Sequence, residues 1–434
     1  MSDKSVAKSA RGLLGTAYEH WRDHGLPATA KKVARVLYYG PNQPAPAPPA
    51  SPALFLRKSC PALTPLSTYY VPRTRPRLNL VLDRLADSHV HGGTGTAVIL
   101  AALLSEQKGC DLRLLTRHER ADAQVFAQLL QLAGVALPGR VEFKHVDCAA
   151  PASDIDLGRS ELFLTTSWWT TSATLGAIAP GKVVFLLQED ERLLYPYGDA
   201  RRRCDELLRT PGLSFVVGTK LLFEHLRDSG LAQLAQHGRW FEPAFPSTAF
   251  FPRATGSAAS RFCFIAGPRS PRSLFYLGLA AIEEALATGI LNKADWEFHF
   301  VGREIPSLLL AGQIEPRLHH DLAGESLAAL FGTVDLGLSL RYSPHPGYST
   351  LALAASGAVV VTSRFGAKQS LDQYAGNILC REPTVDELVS GLEQGVQHAK
   401  DGSRRRADRG QDGLLRDWRR ALAPVLDSLA ERLV

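Results

Sequence analysis

From residue 77 onward, short and nearly continuous apolar runs alternate with longer stretches in which apolar residues recur every three to four positions. Runs at 78–82, 112–115, 141–145, 162–165, 183–187 and 215–217 have the length and side chains of strands, and helical spacing follows several of them. A second series occupies 262–266, 297–301, 334–340, 358–362 and 377–380. Strands buried on both faces read as unbroken apolar runs, and parallel neighbours need a helix-length crossover. Each series therefore predicts a parallel sheet with helices on both sides. The expected fold class is α/β, with two doubly wound, Rossmann-like domains in tandem. Their expected spans are 73–248 and 249–400, with the chain crossing between them through the proline-rich segment 241–252. A chain of 434 residues is too long for one ordinary core and comfortable for two.

The ends break this pattern. Residues 1–40 place Lys4, Lys8, Arg11, Arg22, Lys31, Lys32 and Arg35 among Leu13, Leu14, Tyr18, Trp21 and Val33. This basic amphipathic helical pattern suits an anionic membrane surface, with a helical extension packed on the body as the competing reading. Residues 41–72 open with Pro41, Pro44, Pro46, Pro48, Pro49 and Pro52; proline lacks an amide proton and favours extended chain, so a linker is expected and no fold element. Residues 401–434 read as a charged C-terminal helix. The net charge of +6 is concentrated at the ends, and nucleic acid is not an expected partner. No apolar run reaches the ~18–20 residues that span a bilayer, and no signal-peptide core follows Met1. The expected location is cytoplasmic, peripheral at the inner face of the membrane through 1–40. The six cysteines lie far apart without C-x-x-C or metal-spaced histidine, so no disulfide framework, metal or cofactor is expected.

In open α/β sheets ligands bind beyond the carboxyl ends of the strands. The loop after 78–82 carries His91, Gly92, Gly93, Thr94 and Gly95 ahead of a helical run at 98–104; glycine permits close approach, and a helix start offers free N–H groups to an anion or a sugar hydroxyl. Val98 stands where a dinucleotide fingerprint needs glycine or alanine, and no P-loop lysine follows. After 162–165, Trp168 and Trp169 lie among hydroxyl residues, a composition that suits stacking on a sugar face. After 183–187 come Gln188, Glu189, Asp190 and Glu191. Carboxylates there are candidates to accept a proton from an attacking hydroxyl, with Asp83 as a further candidate and solvated charge as the competing reading. In the second half, Gly267 permits approach while Arg269 or Arg272 offers a charge-assisted fork to a diphosphate. His345, Gly347, Tyr348, Ser349 and Thr350, ahead of a helix at 351–355, form a second anion cradle. Asp154-Ile155-Asp156 has D-x-D spacing but reads as solvated turn chemistry.

The stretch Asp335-Leu336-Gly337-Leu338-Ser339-Leu340-Arg341-Tyr342-Ser343-Pro344-His345-Pro346-Gly347-Tyr348, then 354–362, with Gln188 through Tyr195-Pro196-Tyr197-Gly198 and the Gly92-Gly93 pair, resembles bacterial rhamnosyltransferases of the WsaF type. These are GT-B enzymes that use dTDP-L-rhamnose to build cell-surface polysaccharides, and the likeness runs from about residue 77 to 400. It implies a first domain that binds a glycan or lipid-linked glycan acceptor through Gly92, Gly93, Thr94, Gly95, Trp168, Trp169 and Gln188. The second would bind a nucleotide-diphosphate sugar through Gly267, Arg269, Arg272, His345, Gly347, Tyr348, Ser349 and Thr350. Transfer would be metal-independent, with Glu189, Glu191 or Asp83 as base. Two positions depart from the family: Ala352 stands where a carboxylate usually holds the ribose, and Ile265-Ala266-Gly267-Pro268 replaces Y-x-R-P. Two alternatives share the architecture, a glycan-binding or assembly subunit without donor chemistry and a non-hydrolysing nucleotide-sugar epimerase.

Overall fold

The apolar runs become parallel strands in the computed structural model, which describes residues 29–30, 33, 51–86, 92–149, 154–254, 258–401 and 412–433. The chain divides into two compact units, Met1–Cys60 and Pro61–Val434. In the first, a helix covers Pro52–Ser59; apart from Thr29, Ala30 and Val33, the amphipathic segment 1–40 lies outside the described residues, and with it the expected membrane contact. His91 lies outside them too.

Within Pro61–Val434 the strands are β1 (Ser67–Tyr70), β2 (Arg77–Leu82), β3 (Asp111–Thr116), β4 (Val141–His145), β5 (Asp154–Leu157), β6 (Glu161–Thr165), β7 (Val183–Leu187), β8 (Ser214–Gly218), β9 (Gly238–Phe241), β10 (Ser260–Ala266), β11 (Trp296–Gly302), β12 (Arg317–His320), β13 (Leu336–Leu338), β14 (Val359–Ser363) and β15 (Ile378–Arg381). A seven-stranded sheet has the order β4-β3-β2-β6-β7-β8-β9, and a six-stranded sheet the order β12-β11-β10-β13-β14-β15. Every neighbour pair is parallel. Strands β2, β3, β6, β7, β8 and β14 are buried along their whole length, because helices cover both faces of each sheet. The order reverses between β2 and β6 and again between β10 and β13. Crossovers leave these points in opposite directions, so a crevice opens at the strands' carboxyl ends. The loops holding Asp83, Trp168, Arg272 and His345 all follow strands that flank these reversals.

Three expectations need correction. The stretch assigned to a linker contains the Pro52–Ser59 helix and β1, and β1 pairs with β5 from Ser67 opposite Asp154 to Tyr70 opposite Leu157. Asp154-Ile155-Asp156 is thus strand, not turn. Asp156 accepts from Arg77 at 3.0 Å and from Arg113 at 2.8 Å, and Glu161 accepts from Arg77 at 2.6 Å. Both arginines are buried within the sheet, so their charges require these partners. Glu161→Ala is expected to cost about 3–5 kcal/mol, the penalty of stranding a buried charge; an unfolding free energy from urea titration lowered by under about 1 kcal/mol would remove the network from the stability account. Third, the glycine loop is mostly helix: one runs over Gly93–Lys108, starting ahead of the expected 98–104.

The chain's end returns to the first half. In the helix Trp418–Ala430, Trp418, Leu422, Val425 and Leu429 are buried against the Gly93–Lys108 helix and β9, an apolar stripe at helical spacing beneath a charged outer face. Beside the proline-rich crossing, the Phe245 N–H donates to the Leu415 carbonyl at 2.7 Å. Two strands of chain therefore connect the halves side by side.

Candidate active site

Two sets of contacts join the halves at the paired crevices. In the first, Gly92 takes φ +68°, and a Cβ there would stand 2.9 Å from the Tyr348 ring. Glycine is required for both the left-handed backbone and the close approach. The Thr96 hydroxyl lies 3.0 Å from the Tyr348 hydroxyl, which donates to Gln188 Oε1 at 2.7 Å, while Gln188 Nε2 donates to the Gly93 carbonyl at 2.6 Å. Gly92, Gly93, Gln188 and Tyr348 are thus brought together, as a neutral clasp between the halves. Burial pushes the Tyr348 phenol up, so it stays protonated.

The second set is ionic. Glu189, at the carboxyl end of β7, meets Arg272 from the loop after β10 and Arg341 from the loop after β13. The two guanidinium groups hold its carboxyl below the ordinary range even against the opposing effect of burial. Arg272 is itself pushed down to about 10 by burial and by Arg341. Behind Arg341, the fully buried Lys368 donates from Nζ to the Arg341 carbonyl at 2.7 Å, and burial pushes it down to about 7. Two guanidinium groups therefore meet one carboxylate, with the Lys368 ammonium behind Arg341. His345 adds a donor: its Nδ1 accepts the Gly347 N–H at 2.9 Å. The proton then lies on Nε2, which is buried and unpartnered. Burial pushes His345 down to about 3, so it is a neutral donor at physiological pH.

Other expected donor residues divide. Gly347 caps the helix Tyr348–Ala355 with φ +94°, so Tyr348, Ser349 and Thr350 form its first turn, one turn earlier than expected. Ser349 and Ala352 line a cleft of about 860 Å³ shared with Thr96, Leu129, Phe250 and Leu327. The Thr350 hydroxyl is buried on Ser339 at 2.9 Å. Gly267 serves its own turn, since a Cβ would meet Ser273 Oγ at 2.9 Å. Arg269 points outward, 82% exposed, to Glu304. It stands apart from the arginine pair.

In the first half, Glu191 is buried and accepts the Trp168 N–H at 2.9 Å. Burial raises its pKa to about 8, and the charges of Asp83 and Glu189 add to the rise. Trp168 is core, whereas Trp169 shares a pocket with Asp83, His118 and Arg303. Both indoles donate to the Tyr195 hydroxyl at 2.9 Å. Thr94 and Gly95 lie in the first turn of the Gly93–Lys108 helix, and Gly95 lines the large cleft. Asp190 is structural: Arg192 at 2.8 Å and His225 at 3.2 Å pull it down to about 2. The sequence reading missed Arg341 and Lys368. Arg341 lies in the motif stretch, but nothing in its spacing marks the direction of its side chain; Lys368 reaches the site only by folding.

The fold has counterparts among solved structures. The fold matches HepE of Anabaena (TM-score 0.55, 12% identity, covering 82% of this chain and 100% of that one). It also matches sucrose-phosphate synthase of Thermosynechococcus elongatus (0.55, 12%, 83% and 99%) and WaaG (0.54, 10%, 82% and 99%). In sequence, the chain is 26% identical over 328 residues to the O-antigen biosynthesis protein RfbC of Myxococcus xanthus, across 72% of this chain. The match spans only 24% of that relative's length. Residues 77–202 match the N-terminal domain of WsaF and 260–393 its C-terminal domain, so with both halves and the GT-B fold in place, the chain belongs to the WsaF family of GT-B glycosyltransferases.

Proposed function

We propose that this chain transfers a sugar from a nucleoside diphosphate to a glycan or lipid-linked glycan acceptor during cell-surface polysaccharide synthesis, with L-rhamnose from dTDP-rhamnose as the donor sugar. The observation that carries the reading is the charge imbalance: Arg272 and Arg341 share the single carboxylate of Glu189, with the Lys368 ammonium behind Arg341 and the His345 Nε2 donor without a partner. Charge withdrawn from water is expensive unless paired; Lys368 is buried, Arg272 largely so and Arg341 half-buried, and a diphosphate is an anion that balances them. HepE has been crystallised with UDP and glucose, WaaG is a glycosyltransferase involved in lipopolysaccharide biosynthesis, and RfbC is an O-antigen biosynthesis protein; each supports the reading by analogy. The arginines and Lys368 neutralise charge as the glycosidic bond to the diphosphate breaks. Glu191, next to Asp83 and the Trp169 pocket, takes the proton of the attacking hydroxyl.

Calorimetric titration with dTDP and UDP tests this, and its pH dependence is diagnostic. In the free protein Lys368 loses its proton above about 7, whereas a bound diphosphate favours the charged form and raises that value. Binding is therefore at full strength below the free value and weakens as pH climbs from about 7.5 to 9, where the ligand's terminal phosphate, with second pKa about 6, is already ionised. Proton uptake on binding is the expected signature; proton release, or no binding of either nucleotide, contradicts the assignment. A panel of sugar nucleotides with thermal-shift readout then identifies the donor.

A further inference from the structure

In the donor reading proposed above, the Glu189 carboxylate stands where the donor's phosphates would sit. One oxygen, Oε2, meets both Arg272 and Arg341, and the other accepts the Asp190 N–H at 3.2 Å. The carboxylate comes from the first half and both arginines from the second, so the pairing spans the crevice. Among the described residues neither arginine pairs with another carboxylate. Yet the seat is only partly satisfied: Arg272 Nε, Arg341 Nε and His345 Nε2 are buried without hydrogen-bond partners. The Glu189 carboxylate, placed as it is, does not reach them.

We propose that Glu189 is a resident anion that closes the diphosphate seat until the donor displaces it, an inference that rests on the donor reading above. A diphosphate brings at least two negative charges and several acceptor oxygens. It can meet both guanidinium forks and the orphaned donors together, and the single carboxylate yields to it. While the seat is empty, Glu189 keeps two like charges from facing each other unscreened. After transfer it competes with the spent nucleotide for the arginines and helps to expel it. The neutral Thr96–Tyr348–Gln188 clasp involves no charge and holds the halves in register while the anions exchange. The cost is paid in affinity: the apparent dissociation constant is raised by the fraction of molecules in which Glu189 holds the seat.

The proposal fixes the sign of an unusual effect, because removing an acid at the site should tighten binding. Calorimetry with inorganic pyrophosphate and UDP would compare the full-length wild type with Glu189→Gln and Arg272→Ala. Glu189→Gln should bind pyrophosphate about tenfold tighter or more, since nothing competes for the arginines. Unliganded, this variant should melt at a lower temperature, and pyrophosphate should raise its melting point more than it raises the wild type's. A fastener or a catalytic base predicts otherwise: weaker binding in the first case, unchanged binding in the second. Either result, with Arg272-dependent binding in the wild type, overturns the resident-anion proposal and leaves the donor reading standing. If neither ligand binds wild type or Glu189→Gln, the donor reading falls and takes this inference with it. Should Glu189→Gln fail to fold, Glu189→Asp keeps the charge but is too short to hold both arginines, and the same tightening is expected.

Discussion

Replacing Glu191 by glutamine is expected to lower turnover by ~10²–10⁴-fold while leaving nucleotide affinity nearly intact, the range associated with losing a general base. Glutamine keeps the size of the side chain and an oxygen for the Trp168 N–H, so the fold should persist. The wild-type carboxyl, raised to about 8 in the folded protein, is largely protonated at neutral pH. Only its ionised form accepts a proton, so turnover at saturating substrate should climb with pH and level off above that value. Stability runs in the opposite direction. A carboxyl with a raised folded-state pKa contributes fully below its unfolded value and loses that contribution as pH rises through about 8. Glu191→Gln removes the loss and should therefore be the more stable protein at alkaline pH. Retained turnover in Glu191→Gln with a flat pH profile would point instead to Asp83, or to a retaining reaction that uses no protein base.

The second large effect concerns the arginine pair. Arg341→Ala and Arg272→Ala should each weaken nucleoside-diphosphate binding by about 1.5–3 kcal/mol, the loss of a charge-assisted hydrogen bond, or roughly 10–100-fold. Arg269→Ala should change affinity by less than about twofold, because its guanidinium is exposed and turned toward Glu304. Equal effects at 269 and 272 would mean that the diphosphate lies outside the crevice. The contrast matters because the two arginines lie in the same loop, and only their burial, 82% exposed against 15%, separates them.

Periodicity determined much of this protein unaided. A strand buried on both faces must be apolar along its whole length, so β2, β6, β7 and β14 could be read directly from runs such as Val183-Val184-Phe185-Leu186-Leu187. The reversal of strand order cannot be read that way, since pairing partners are far apart in sequence, but the loops that it brings together carry glycine and polar residues that mark them. Short or polar strands escaped. β1, β5 and β12 hold charged or hydroxyl side chains because they sit at edges or receive buried arginines, and Asp156 became strand by tertiary pairing with Arg77 and Arg113. Side-chain direction was equally out of reach. Glu189, Asp190 and Glu191 are consecutive, yet one faces two arginines across the crevice, one is locked to Arg192 and His225, and one is buried against the Trp168 amide. Each acid's chemistry is fixed by the charge and solvent around it, and that environment comes from segments as distant as residues 83 and 341. Sequence determined which residues could do chemistry; the meeting of the two halves decided which charge each of them carries.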